Sequence, residues 1–199
     1  MLRITDNGNS EYVIIIRKNH SASEKTAAEE LAAYLKKITD AEIPVKTDDE
    51  KKTDHEIVIG FTNRGGKGKK ELGEEGFTIK TEGKRLFILG SEVRGALYGV
   101  YSFLEKCCGC RFYTDTCERV PKVNMLTVPE IDCTELPGFE YRNVYWFAQG
   151  GEMISAKLKN NGGMGHELTE RVGGGINYIG SFCHTFPDLG ETGNVWDMP

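Results

Sequence analysis

The hydrophobic positions in the first hundred residues follow two different periods. The runs YVIIIR at 12–17 and IVI at 57–59 are continuous and rich in β-branched residues, which predicts short strands buried on both faces of a sheet. Between them, Ser21 and Glu24 form a capping-box pattern, and apolar residues then recur at three- and four-residue steps, as in an amphipathic helix. The same spacing at 91–108 predicts a second, buried helix.

The second predicted helix contains two glycines, Gly95 and Gly99, one turn apart. Glycine inside a helix costs about 1 kcal/mol relative to alanine, so we expect another part of the backbone to approach the helix closely here. Ser91 is expected to cap the helix at its start. Gly109 is expected to end it in the left-handed conformation.

Shorter patterns complete the first part of the chain. Two apolar runs at 77–81 and 85–89 flank a glycine-containing turn, which predicts a β-hairpin. Pro44 in the run at 41–46 predicts an edge strand, because proline cannot donate a ladder hydrogen bond. The order of these elements predicts an α+β fold, a mixed β-sheet with two helices packed on one face.

The chain changes character after position 113, where prolines punctuate a stretch without clear periodicity. We therefore predict a first domain at 1–132 and a second part at 133–199. The second part contains two strand-like runs, FEYRNVYWF at 139–147 and INYIGSFCHTF at 176–186.

Composition and charge exclude several classes of function. The 199 residues carry a net charge of -5, and a dedicated nucleic-acid-binding protein needs a concentrated basic face instead. No 18-residue apolar run is present, and the first residues lack the pattern of a secretory signal. We expect a cytoplasmic protein that binds neither nucleic acid nor membrane.

The six cysteines do not form a recognisable disulfide framework. Cys107 and Cys110 have C-x-x-C spacing, which is also found in thiol redox pairs and in halves of zinc sites. A zinc site needs a second pair of ligands, so packing as small apolar groups at the end of the helix is favoured. A thiol or metal protein built on Cys107, Cys108 and Cys110 is the weaker alternative, and we expect neither a metal nor a cofactor.

A resemblance to a known family is carried by three stretches of the sequence. In chain order they are AAEELAAYLKKITDAEIPV, EIVIG and EEGFTIKTEGKRLFILGSEVRGALYGVYSFLEKCCGCRFY. The chain resembles the α+β accessory domain that precedes the catalytic barrel in β-N-acetylhexosaminidases and α-glucuronidases, and it resembles still more closely related bacterial proteins of unassigned function. The resemblance implies that 133–199 is a linker followed by the incomplete start of a (β/α)8 barrel. Such a barrel needs about 250 residues.

The resemblance also implies candidate substrate-binding residues. Arg142 stands where related hexosaminidases have an arginine that contacts sugar hydroxyls, and the alternative for it is a structural ion pair. His184 stands where the related barrels have a histidine that can hydrogen-bond a sugar hydroxyl. Trp146 could offer an aromatic platform to a sugar ring, although aromatic residues on a strand more often belong to a core. The catalytic carboxylates of the family come from later strands, so we expect no catalytic residue in this chain.

These observations predict the non-catalytic N-terminal portion of a glycoside-hydrolase-like protein acting on amino-sugar or uronic-acid glycans, inactive as this fragment. The alternative is a stand-alone glycan-binding or interaction module. Exposed strands without partners pair with other chains, which allows a homo-oligomer formed through the incomplete barrel segment.

Overall fold

The computed structural model describes residues 1–65, 71–163 and 166–176. Its strands are β1 (Leu2–Asp6), β2 (Val13–Ile16), β3 (Val45–Thr47), β4 (Glu56–Ile59), β5 (Phe77–Glu82), β6 (Arg85–Gly90), β7 (Arg111–Thr114), β8 (Cys117–Arg119), β9 (Met125–Val128) and β10 (Asp132–Glu135). Its helices are α1 (Ala22–Thr39), α2 (Gly95–Lys106) and α3 (Glu152–Lys157), with 3-10 turns at Phe147–Gln149 and Glu170–Val172.

Six strands form a mixed sheet in the order β10-β5-β6-β4-β2-β3. The strands β3, β2, β4 and β6 run parallel, whereas β5 and β10 are antiparallel to their neighbours. The hairpin of β5 and β6 and the edge position of β3 confirm two of the sequence predictions. The mixed α+β fold is therefore confirmed.

The main core lies between the sheet and the two long helices. Alternate sheet residues such as Ile14, Ile57 and Ile88 belong to the same buried cluster as Leu31 of α1 and Leu97 of α2. The intervening sheet residues point to the opposite face, where a second cluster holds Val13, Ile15, Val58, Phe87 and Leu89. Both faces of the central strands are buried, as their continuous apolar runs predicted.

The start of α2 differs from the prediction. Helix α2 begins at Gly95, so its N-cap is Arg94 and not Ser91, and no side chain caps it; the Ser91 hydroxyl donates to the backbone carbonyl of Glu74 at 2.5 Å. The same carbonyl accepts the backbone N–H groups of Arg94 and Gly95. The Glu74 carbonyl from the preceding loop thus accepts two N–H groups at the helix start that have no partner within the helix.

The close approach expected at the two glycines is confirmed. A Cβ atom on Gly95 would lie 2.5 Å from the carbonyl oxygen of Gly76, and one on Gly99 would lie 2.7 Å from Cγ2 of Ile88. Gly109 has φ +75°, as expected, but it does not end the helix, because α2 stops at Lys106 and its C-cap is Cys107 in the right-handed conformation. Helix α2 therefore lies flat against β5 and β6 at a distance that only glycine allows.

Strand β1 pairs with β9, which no local pattern predicts. Leu2 lies opposite Val128, so the first residues are joined to a strand more than a hundred positions later. β10 pairs with β5 and so carries the sheet across the predicted boundary at residue 132.

The predicted strand at 139–147 is wrong. Within this range, all of which the structure describes, there is no strand, although Trp146 has an extended backbone with φ -146° and ψ 122°. A parallel strand needs neighbours for its ladder bonds, and here the Arg142 carbonyl instead accepts from the backbone N–H groups of Asn161 and Gly162. The second predicted strand, at 176–186, lies outside the described residues except for Ile176. No helix in the described ranges is long and apolar enough to cross a membrane.

Candidate functional site

A buried polar cluster joins the region around β5 and α2 to the segment after residue 138. Its four members, Glu75, Arg94, Arg142 and Asn161, are here called the arginine junction. Glu75 lies in the turn before β5, and Arg94 occupies the N-terminal cap position of α2. The sheet and α2 thus fix one side of the junction, and the segment after residue 138 supplies the other.

The Glu75 carboxylate binds three side chains from three parts of the chain. Its Oε1 accepts from Arg94 Nε at 2.8 Å and from Asn161 Nδ2 at 2.7 Å, and its Oε2 accepts from Arg142 Nη2 at 2.5 Å. The Glu75 side chain is only 8% exposed, so water screens these charges little. Charge-assisted hydrogen bonds of this kind are stronger than neutral ones.

Asn161 holds the backbone of the opposing segment. It is completely buried, its amide also donates to the Glu140 carbonyl at 2.7 Å, and its Oδ1 accepts the backbone N–H of Arg142 at 2.8 Å. One amide therefore binds both the Glu75 carboxylate and the peptide groups around Arg142.

The structure places the predicted substrate-binding residue Arg142 inside this junction. Besides its bond to Glu75, Arg142 Nε donates to the Lys159 carbonyl at 2.8 Å and Nη1 donates to the Phe139 carbonyl at 2.5 Å. The structural ion pair considered from the sequence is present, and 19% of the Arg142 side chain remains accessible. A sugar contact by Arg142 stays a prediction.

A second feature is a groove of about 550 Å³ beside β7, here called the aromatic groove. Its lining residues are Asp115, Val144, Tyr145, Trp146, Phe147, Gly150, Gly151 and His166. Trp146 and Tyr145 are exposed and Phe147 is fully exposed, which is unusual for large apolar side chains grouped in one place. The structure therefore places Trp146 at an accessible surface, as a platform would require.

Backbone contacts fix the shape of the groove. The Asp115 N–H donates to the Ala148 carbonyl at 3.2 Å, and Gln149 Nε2 donates to the Tyr113 carbonyl at 2.7 Å. A Cβ on Gly151 would lie 2.6 Å from Asp115 Oδ1, so the glycine lets the carboxylate lie close to the groove wall. The groove combines aromatic faces with a carboxylate, which suits a ligand with apolar faces and hydroxyl groups.

The two features do not form one site. Arg142 is not among the residues that line the aromatic groove, and His184 lies outside the described residues. Sequence reasoning missed Glu75 and Asn161, because a glutamate in a turn and an asparagine in a loop match no motif of defined spacing.

The cysteine cluster is part of the core. Cys108 and Cys110 are buried among the residues of the main apolar cluster, which confirms the packing interpretation. Burial, together with the nearby carboxylates of Glu118 and Glu105, raises the pKa of Cys110 to about 11. Burial also raises the pKa of Cys108. Both thiols are thus protonated near neutral pH, which disfavours thiolate chemistry.

Comparison with protein families gives a match over the first half of the chain. The family model described as glycosyl hydrolase family 67 N-terminus matches residues 4–103. No curated protein matches the sequence.

Three glycosidases are among the solved structures that match this chain in part. A family GH115 4-O-methyl-α-glucuronidase with specificity for decorated arabinogalactans has a TM-score of 0.50 at 14% identity, over 71% of this chain and 19% of that chain. A GH20 β-N-acetylhexosaminidase from Streptomyces coelicolor A3(2) has a TM-score of 0.45 at 18% identity, over 71% and 24%. A mutant β-hexosaminidase from Streptomyces plicatus with bound GlcNAc has a TM-score of 0.43 at 16% identity, over 71% and 24%. The chain spans less than a quarter of the length of each.

Proposed function

Because the chain belongs to the glycosyl hydrolase family 67 N-terminus family, we propose that it is the non-catalytic N-terminal portion of a glycoside-hydrolase-like protein. The substrates of that protein are amino-sugar or uronic-acid glycans. This choice is supported by the resemblance of the sequence to accessory domains of hexosaminidases and glucuronidases.

In this proposal residues 1–132 brace the second part of the chain and contribute no chemistry. Residues 133–199 are the linker and the incomplete start of a (β/α)8 barrel. They number 67, whereas a barrel needs about 250 residues, so the chain is inactive by itself.

The proposed bracing role is supported by the way the segment after residue 138 packs on the first domain. Ile154, Ala156, Leu168 and Val172 are buried in the same core cluster as the residues of α1 and α2. The arginine junction adds a buried polar contact between the same two parts. A shared core with a buried ion pair is typical of elements that fold together and keep a fixed orientation.

Activity measurements test this proposal. The 199-residue chain and a version extended by the downstream coding sequence are assayed on chromogenic N-acetylhexosaminides and glucuronides. We expect hydrolysis only by the extended version. Hydrolysis by the short chain, or a stop codon directly after Pro199, would contradict the proposal.

The aromatic groove favours a second candidate function, a glycan-binding module. Exposed Trp146 and Phe147 beside Asp115 provide a platform and a hydrogen-bond acceptor for a sugar ring. Glycan-array binding by the 199-residue chain would identify a ligand. The variant Trp146→Ala is then expected to weaken binding about tenfold, which corresponds to about 1.4 kcal/mol.

Phe139→Ala is the matched control, because Phe139 is also exposed but does not line the groove. Its binding should equal that of the unmodified chain. Equal losses in both variants, or no binding to any glycan on the array, would eliminate this candidate.

A further inference from the structure

The two arginines of the arginine junction differ in the number of carboxylates that pair with them. Arg94 pairs with Glu75 and also with Glu74 at 2.8 Å, and its Nη1 donates to the Gly173 carbonyl at 3.0 Å. Within the described ranges, the carboxylate that pairs with Arg142 is Glu75 alone. Removing the negative charge of Glu75 would leave Arg142 as a largely buried cation without a counter-charge, which is strongly unfavourable.

Glu75 and Asn161 bind Arg142 at both ends of its side chain. The Asn161 backbone N–H donates to the Arg142 carbonyl at 3.0 Å, and Asn161 Oδ1 accepts the Arg142 N–H, so the peptide groups are fixed. At the other end, Glu75 accepts from the guanidinium, and Asn161 donates to the same carboxylate. A side chain held at its backbone and at its tip has one orientation available.

We propose that Glu75 and Asn161 are positioning residues that hold the Arg142 guanidinium in a single orientation. Its accessible edge is thereby preorganised for a ligand that accepts hydrogen bonds. The use of that edge for sugar hydroxyls rests on the proposed function, whereas the fixed orientation does not.

Three guanidinium nitrogens of Arg142 are already directed at fixed acceptors, the Lys159 and Phe139 carbonyls and Glu75. A planar guanidinium bound along these directions cannot rotate without breaking several hydrogen bonds together. Binding a ligand at the accessible edge then requires no further ordering of the side chain, and such preorganisation increases affinity. Through Glu75, the first domain acts on the residue predicted to touch the substrate.

Cleavage by trypsin after Arg142 measures how often local opening of the segment releases the guanidinium from Glu75. Trypsin must take an arginine side chain into its specificity pocket, so the bond after Arg142 is cut only when the guanidinium has left Glu75. Under conditions where opening is fast, the cleavage rate follows the population of the open form. Cleavage after Arg119, in the exposed strand β8, is the internal reference in the same digest.

We compare Glu75→Gln with the matched control Glu74→Gln, which neutralises the adjacent carboxylate. The Glu74 side chain is 66% exposed, and within the junction it binds only Arg94. Glu75→Gln should accelerate cleavage after Arg142 about tenfold or more relative to cleavage after Arg119, and Glu74→Gln should change the ratio less than about twofold. Equal ratios in the two variants would overturn the proposal.

A double variant covers the case in which Glu75→Gln does not fold. Adding Arg142→Gln removes the unpaired cation, so folding, measured by circular dichroism, should return. Failure to regain the fold would overturn the proposal. Neither measurement uses a glycan, so the two proposals fail independently. The hydrolysis assay can contradict the proposed function while the digests support the positioning of Arg142, and the digests can contradict the positioning while the hydrolysis assay supports the proposed function.

Discussion

Replacing Gly99 by alanine tests how tightly α2 is held against the sheet. The added Cβ would lie 2.7 Å from Ile88 Cγ2 and 3.2 Å from Phe77 Cβ, whereas carbon atoms pack at about 3.5–4.0 Å. Ile88 is β-branched and completely buried, so its methyl group cannot rotate away easily. The helix or β6 must therefore move by several tenths of an ångström.

Two opposing effects set the size of the change in stability. Alanine has the better helix propensity and would stabilise α2 by about 1 kcal/mol. Overpacking a dense core destabilises by about 1–3 kcal/mol, and both contacts at Gly99 are within the core, which favours the upper part of that range. We expect a net loss of about 1–2 kcal/mol, which lowers the melting temperature by about 2–8 °C for a chain of this length.

The assay is thermal and urea unfolding followed by far-UV circular dichroism, with Ser102→Ala as the control in the same helix. Ser102 is buried, and among the described residues its hydroxyl has no hydrogen-bond partner, so its removal should leave stability unchanged or slightly raised. If Gly99→Ala were as stable as the unmodified chain, the spacing between helix and sheet would be adaptable and the reasoning refuted.

Three further predictions concern titration, reactivity and capping. Burial alone would raise the pKa of Glu118, but hydrogen bonds from Tyr34 and lysine side chains lower it to about 2. The ionised Glu118 side chain therefore contributes to stability above pH 4.5, and this contribution is lost as the pH falls toward 2. Glu118→Gln should flatten that part of the urea midpoint plotted against pH, and an unchanged slope would contradict the assignment. Iodoacetamide should modify the exposed Cys117 much faster than Cys110, whose pKa is raised, as mass spectrometry of peptides can show. Ser21→Ala removes the capping box of α1 and should lower the free energy of unfolding by about 1 kcal/mol, with no change in m-value.

Local patterns were sufficient to predict the central part of the fold. The capping box at Ser21, the hairpin turn at Gly83 and the buried runs of β2 and β4 each depend on neighbouring residues. Close packing at Gly99 was also predictable, because a glycine inside a helix needs a reason.

Features that depend on distant partners could not be predicted in the same way. Strand β1 is short, and what stabilises it is β9, more than a hundred positions away. Ser91 does not cap α2, because the helix starts four residues later at Gly95, beside a carbonyl of Glu74 that no sequence rule places there. The segment at 139–147 has the composition of a strand, but a strand also needs neighbours to pair with.

The candidate site was also predictable only in part. Arg142 was found through resemblance, yet the residues that hold it, Glu75 and Asn161, are separated from each other by 86 positions and carry no motif. Polar networks of this kind are assembled by the fold, so their members become visible only when the contacts are known.

The late position of β9 and β10 in the chain has a consequence for folding during synthesis. A ribosome delivers residues in order, and β1 and β5 emerge well before their partners at 125–128 and 132–135. Until then β1 is unpaired and β5 lacks its outer neighbour, so both present backbone groups to other nascent chains. Only after residue 135 has left the exit tunnel can the six-stranded sheet be completed, and the segment after residue 138 that packs beside it follows immediately behind.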